Sequence, residues 1–222
     1  MCERYVFSPS PEMAELFALE EGNKTIMGME SGYNIGPGFV EPVVVKHLSN
    51  GVEMMSWGLV PPWVKDIRMG HKMINVSAEE TMNKISFRRP FSCQRCLVPA
   101  SGFYVWRTTG DVRQPYYITV AETPTFGMAG LYEITHDAEG REIKTFTIIT
   151  AKSNDFLSGI DDRMPVILSE RDYEAWLDNT KFHQTQLVGL LRPFDRLMKK
   201  IPVSFSVNSL ENQGEDLINA LN

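Results

Sequence analysis

CLVPASGFYVWRTTGDVRQPYYITVAETPTFGMAGLYEITHDAEGREIKTFTIIT, residues 96–150, decides the fold, because it packs five β-rich runs into a quarter of the chain. The runs cover 96–98, 103–106, 115–120, 125–132 and 144–150. Val, Ile, Thr, Tyr and Phe dominate them, and each is too short for a helix. Turn-forming residues separate them, and Asp137-Ala138-Glu139-Gly140 reads as a hairpin connection. Upstream, runs 42–48 and 52–59 flank Ser49-Asn50-Gly51, a second hairpin, and another strand is expected at 203–207. Helical signals sit toward the ends. Ser10 can cap a first helix, Pro11 suits its first position, Glu12 and Glu15 suit its positive end, and Gly22 can stop it. A second helix follows Ser169, with Asp172 three residues on and Tyr173, Trp176 and Leu177 on one face. A third, 184–191, ends before Pro193. Without regular βαβ alternation, a doubly wound parallel sheet is excluded. The expectation is an α+β fold: a single domain over residues 1–222 with a mostly antiparallel, barrel-like β core and peripheral helices.

With 43% hydrophobic and 23% charged residues, the composition is that of a soluble globular protein. No run approaches the roughly 18 apolar residues of a membrane span. The start, MCERYVFSPSPEMAELF, lacks the basic and apolar regions of a secretory signal. Three cysteines (Cys2, Cys93, Cys96) do not form a disulfide framework, so a reducing, cytoplasmic location is expected. The chain is also expected to be a monomer. The formal charge of −6 argues against a generic nucleic-acid binder. Its distribution argues otherwise: from Trp57 to Gln114 nine Lys/Arg face four Asp/Glu. Such a segment can form a local phosphate-binding face, or be an ordinary solvated surface.

Cys2 directly follows Met1. If Met1 is removed, the chain begins with a 1,2-aminothiol, whose amine and thiol have reference pKa values near ~7.7–8.0 and ~8.5. Such a group can condense with an aldehyde to an imine and close to a thiazolidine, or act as an ordinary thiol nucleophile. The plain alternative is a small residue in a first strand. Cys93-Gln94-Arg95-Cys96 has the spacing of half a zinc site, but the four histidines lack matching ligand spacing, so no metal or cofactor is expected. In Trp57-Gly58-Leu59-Val60-Pro61-Pro62-Trp63, Trp57 reads as a core anchor and Trp63 as a loop residue able to stack on unpaired bases. Phe87-Arg88-Arg89 can contact phosphates or be a basic turn.

Taken in order, the segments MCER, YNIGPG (33–38), WGLVPPW (57–63), KMINVSAE (72–79), FRRPF (87–91), RCLVPASGFYVW (95–106), QPYY (114–117), DDRMPVIL (161–168) and VNSLENQG (207–214) resemble the SRAP family, SOS response-associated peptidase. The resemblance spans nearly the whole chain. It implies abasic-site processing on single-stranded DNA, a thiazolidine DNA–protein crosslink through the N-terminal cysteine, a barrel-like α+β domain and a basic DNA channel. Carried over by position, Cys2 is the crosslinking residue and Asn75 holds the abasic sugar. Arg4, Asn34, Trp63, Arg88, Arg89 and Arg163 face DNA.

Five positions depart from the family pattern. Val105 replaces the glutamate of GFYEW, Asp161 the histidine of HDRMP, Ser77 the arginine of INARAE, Ser101 the aspartate of ADG and Glu3 the glycine of MCGR. Valine transfers no proton, which leaves Asp161 or Glu79 to stand in as acid or base. Three readings follow: an active abasic-site crosslinker, an impaired paralogue that binds single-stranded DNA non-covalently, and an N-terminal-cysteine hydrolase.

Overall fold

In the computed structural model, which describes residues 2–20, 26–64, 66–121, 123–137, 139–180 and 184–221, the hairpins of the middle segment close into a barrel. The strands are β1 Tyr5–Phe7, β2 Gly32–Ile35, β3 Val40–Lys46, β4 Asn50–Trp57, β5 Asn75–Ser77, β6 Arg95–Ala100, β7 Gly102–Thr109, β8 Val112–Val120, β9 Phe126–His136, β10 Glu142–Lys152, β11 Arg163–Pro165 and β12 Met198–Pro202. Four short helices accompany them among the described residues: α1 Met13–Leu16, α2 Ile85–Cys93, α3 Tyr173–Leu177 and α4 Gln184–Val188. Strands β4, β3, β6, β9 and β10 pair in that order, and β10 returns to β4 to close the ring. All these pairings are antiparallel except β4 with β10, so the barrel is mixed. The second sheet, β12-β8-β7-β1-β2, is antiparallel throughout.

Strand β10 changes neighbours along its length. Ile148 lies between Gly130 of β9 and Asn75 of β5; two residues on, Thr150 lies between Pro165 of β11 and Ser77 of β5. Pairing with short strands there brings segments distant in sequence to one end of the barrel. Trp57 fills the core beneath, stacked on Phe146 and meeting Tyr5 edge-on at 5.3 Å. Its indole N–H donates to the Ile74 carbonyl at 2.8 Å, so this Trp is the expected core anchor. Burying an aromatic of this size contributes roughly 1.5–3 kcal/mol. Where β6 passes to β7, Gly102 lets the Tyr117 ring lie 2.3 Å from where a Cβ would stand. Any side chain there would push the sheet's packing apart.

Arg95 fixes the helices. Its guanidinium is buried and donates to the carbonyls of Phe91 and Ser92 at the end of α2 and of Trp176 and Asp178 at the end of α3. Those carbonyls are the ones a helix leaves unpaired at its C-terminus.

Several local expectations change. The first helix begins at Met13, with Glu12 rather than Ser10 in the capping position and no side-chain cap. Residues 203–207 are not a strand: β12 ends at Pro202, and a 3-10 turn covers Phe205–Asn208. Phe87-Arg88-Arg89 is not a turn but the middle of α2, which tolerates Pro90. Met1, Gly22 and Ala138 lie outside the described residues.

Candidate functional site

Cys2 is only 1% exposed and lies in the core cluster that holds Tyr5, Trp57 and Val105. Its Sγ lies 3.9 Å from the Arg4 carbonyl. Burial, with a further push from the Asp161 charge, raises the thiol to about 12. At neutral pH this thiol keeps its proton, because a thiolate there would lose its solvation.

Asn75 reaches the same residue from β5. Its Nδ2 donates to the Cys2 carbonyl at 2.6 Å, while its Oδ1 is buried without a hydrogen-bond partner. Asp161 ends the turn before β11. Its Oδ1 accepts from the Arg163 backbone N–H at 3.1 Å, and its charge reaches Cys2. Arg163, on β11, donates to Thr150 Oγ1, to the Thr150 carbonyl and to Glu79 Oε2, the last at 3.0 Å. The Glu79 backbone N–H, and then Arg163, hold the Glu79 carboxyl below its usual range, so it is an ionised partner of Arg163. Thus Cys2, Asn75, Asp161, Arg163 and Glu79 gather at the end of β10, and Glu79 is not poised to exchange a proton near neutrality.

Other expected DNA-facing residues diverge. Trp63 stands on the loop after Pro61, 58% exposed. Asn34 is a correction: at 0% exposure it faces inward, and its Nδ2 lies within hydrogen-bond distance of the Val207, Ser209 and Asn212 carbonyls. Such an amide clamps the C-terminal segment and is shielded from any ligand. Arg88 is exposed and donates to the Met82 carbonyl; Arg89 pairs with buried Glu133 at 2.6 Å and with Gln94. Among the described residues these two share no hydrogen bond or ion pair with the Cys2 cluster.

Val105 is buried, so the position that the family pattern gives a carboxylate is apolar here. Sequence reasoning missed three neighbours. Thr150 holds Arg163, and only its place between β5 and β11 reveals that. Arg113 pairs with Glu3; its signal was membership of the basic segment. Glu41, on β3, is raised to about 7 by burial, and its charge reaches Tyr5. A cavity of about 530 Å³ lined by Ser8, Tyr33, Ser101, Tyr117, Thr125 and Glu215, among others, contains neither Cys2 nor Asn75.

The comparisons agree with the fold and the motifs. "Abasic site processing protein YoqW" of Bacillus subtilis (strain 168) is 37% identical over 98% of this chain and 99% of its own length. YoaM of the same organism, with the same description, is 38% identical over 87% of this chain and 86% of its own. The abasic site processing protein HMCES of Gallus gallus is 31% identical over 81% of this chain and 63% of its own. A crystal structure of a Bacteroides thetaiotaomicron protein matches with a TM-score of 0.86 and 28% identity, covering all of both chains. The family model described as SOS response associated peptidase (SRAP) matches residues 1–210, and the chain belongs to that family.

Proposed function

We propose that this protein processes abasic sites in single-stranded DNA by forming a covalent crosslink through Cys2 after Met1 removal. The observation that carries the reading is Asn75: its amide N–H holds the residue 2 carbonyl, and its Oδ1 is left without a partner beside it. A buried acceptor of that kind suits a hydroxyl or amine donor arriving with the ring-opened sugar. The α-amine freed by Met1 removal attacks the sugar aldehyde, and loss of water leaves an imine. The Cys2 S–H then adds across the C=N bond, forming the C–S bond of a thiazolidine and returning its proton to nitrogen. The buried Sγ carries its own proton into this step. Asp161, whose charge reaches Cys2, takes the acid/base part that Val105 cannot.

Intact-mass analysis of the native protein before and after incubation with abasic DNA tests this. The expected result is a chain lacking Met1 and an adduct that requires Cys2 and forms faster on a single strand than on a duplex. If Met1-processed protein gives no adduct over a long incubation, the reading is overturned. The buried Val105 favours a second reading, an impaired paralogue that only binds. It predicts salt-sensitive single-strand binding that survives Cys2→Ala and never becomes covalent.

A further inference from the structure

Two arginines engage Glu3, the residue after Cys2. Arg4 donates Nη1 to the Glu3 carbonyl at 2.8 Å, and its Nε is buried without a hydrogen-bond partner. Arg113, from the start of β8, lies 5.1 Å over the Trp106 ring and places Nη2 3.4 Å from Glu3 Oε2. The Trp106 indole is itself fixed by donating to Asn208 Oδ1 at 2.8 Å. Burial lowers the Arg4 pKa; the Glu3 charge works against that effect and the Arg113 charge works with it. The two cations are thus within Coulombic reach of each other, with the Glu3 carboxylate paired to Arg113 and acting on Arg4 through its charge.

An unpartnered guanidinium N–H beside a second arginine is an anion site. Here the Arg113 half of it is already held by an anion of the chain itself, the Glu3 carboxylate. We propose that Arg4 and Arg113 form a subsite for a DNA backbone phosphate beside Cys2, and that the Glu3 carboxylate occupies it until DNA displaces it. The inference rests on the proposed DNA reading and adds a specificity-determining residue, Glu3, and a DNA contact, Arg113. Both partners of the ion pair are well exposed, at 59% and 38%, so the contact is weak enough to exchange. Glu3 then tunes affinity instead of abolishing it, and it disfavours weak, non-productive encounters with intact strands.

The test is fluorescence anisotropy with a single-stranded oligonucleotide lacking abasic sites, over a salt series. Glu3→Gln is expected to tighten binding about 3- to 10-fold at low salt and to steepen the log–log salt dependence by about 0.7, the value of one phosphate contact on a single strand. Adding Arg113→Gln to Glu3→Gln should cancel both gains. Glu139→Gln removes an equal charge from the β9–β10 connection and controls for net charge. Equal affinity and slope for Glu3→Gln and the parent overturn the subsite, as does an equal gain from Glu139→Gln. Adduct formation without a Glu3→Gln effect sinks the subsite alone. Tighter binding by Glu3→Gln without any adduct sinks the crosslinking reading alone.

Discussion

Arg95 and Asn75 are both polar side chains carried by strands of the β10-containing sheet, and they are treated in opposite ways. Arg95 gives hydrogen bonds to four carbonyls and lies 5.8 Å from the Trp176 ring centre. Asn75 gives one to Cys2 and leaves its Oδ1 unanswered. The Arg95 side joins α2 and α3 to β6, segments that must not move. The Asn75 side joins short β5 to residue 2, where the proposed reaction takes place. Completed hydrogen bonding marks architecture, and incomplete hydrogen bonding beside the proposed nucleophile is what the proposed chemistry uses. An unpartnered atom alone does not suffice. Asn34 Oδ1 is also without a partner, yet that amide clamps the backbone of Val207, Ser209 and Asn212.

Breaking the Arg95 side should give the largest effect. Arg95→Met leaves the carbonyls of Phe91, Ser92, Trp176 and Asp178 without their donor. A loss of about 3–5 kcal/mol is expected, lowering the melting temperature by about 10 °C. Urea denaturation measures the loss, and adduct yield per folded molecule should stay at the parent level. A stability change below about 1 kcal/mol would show that the helices do not depend on this guanidinium.

The same contrast explains what could be read from the sequence. The barrel strands were legible because Val, Ile, Thr and aromatic runs sit between turn residues, as around Asn50 and Gly140. Helix α2 was not, because Pro90 argues against a helix and only burial of Phe87 and Phe91 against the strands favours one. Strand β12 was displaced because Val203 and Val207, apolar and alternating, pack under β8 from a turn rather than a strand. At the site, Cys2 and Asn75 were legible as motif positions. The roles of Glu79 and Asn34 were not, since sequence cannot tell that Arg163 engages the first and three carbonyls surround the second.

Glu41 is an intermediate case, because no described residue gives it an ion pair or hydrogen bond, and burial alone raises it to about 7. The folded value lies above the unfolded one near ~4.3, so protonation favours the fold. Its contribution is complete at low pH and is lost as pH rises from about 4.5 through about 7. Glu41→Gln should therefore match the parent at pH 4.5 and exceed it by roughly 2–3 kcal/mol at pH 8. Urea titrations at the two pH values decide it. A stability gap that ignores pH would mean the carboxyl is solvated and ordinary.

Asn75→Ala should show the smallest stability change and the clearest functional one. The variant loses a hydrogen bond to the Cys2 carbonyl, which costs about 1 kcal/mol. It also removes a buried acceptor with no partner, and relief of that desolvation is of similar size. The two nearly cancel, so denaturation curves should differ by less than about 1 kcal/mol. Crosslinking depends on where residue 2 sits, and loss of its anchor should slow adduct formation about 10- to 100-fold, as misplacement of a reacting group does. Time courses on abasic single strands, with Met1 removal checked by mass, measure this. If Asn75→Ala unfolds as readily as Arg95→Met, Asn75 belongs with the architecture and the contrast fails. If stability holds and the rate falls, the unanswered Oδ1 is the part of the barrel reserved for substrate.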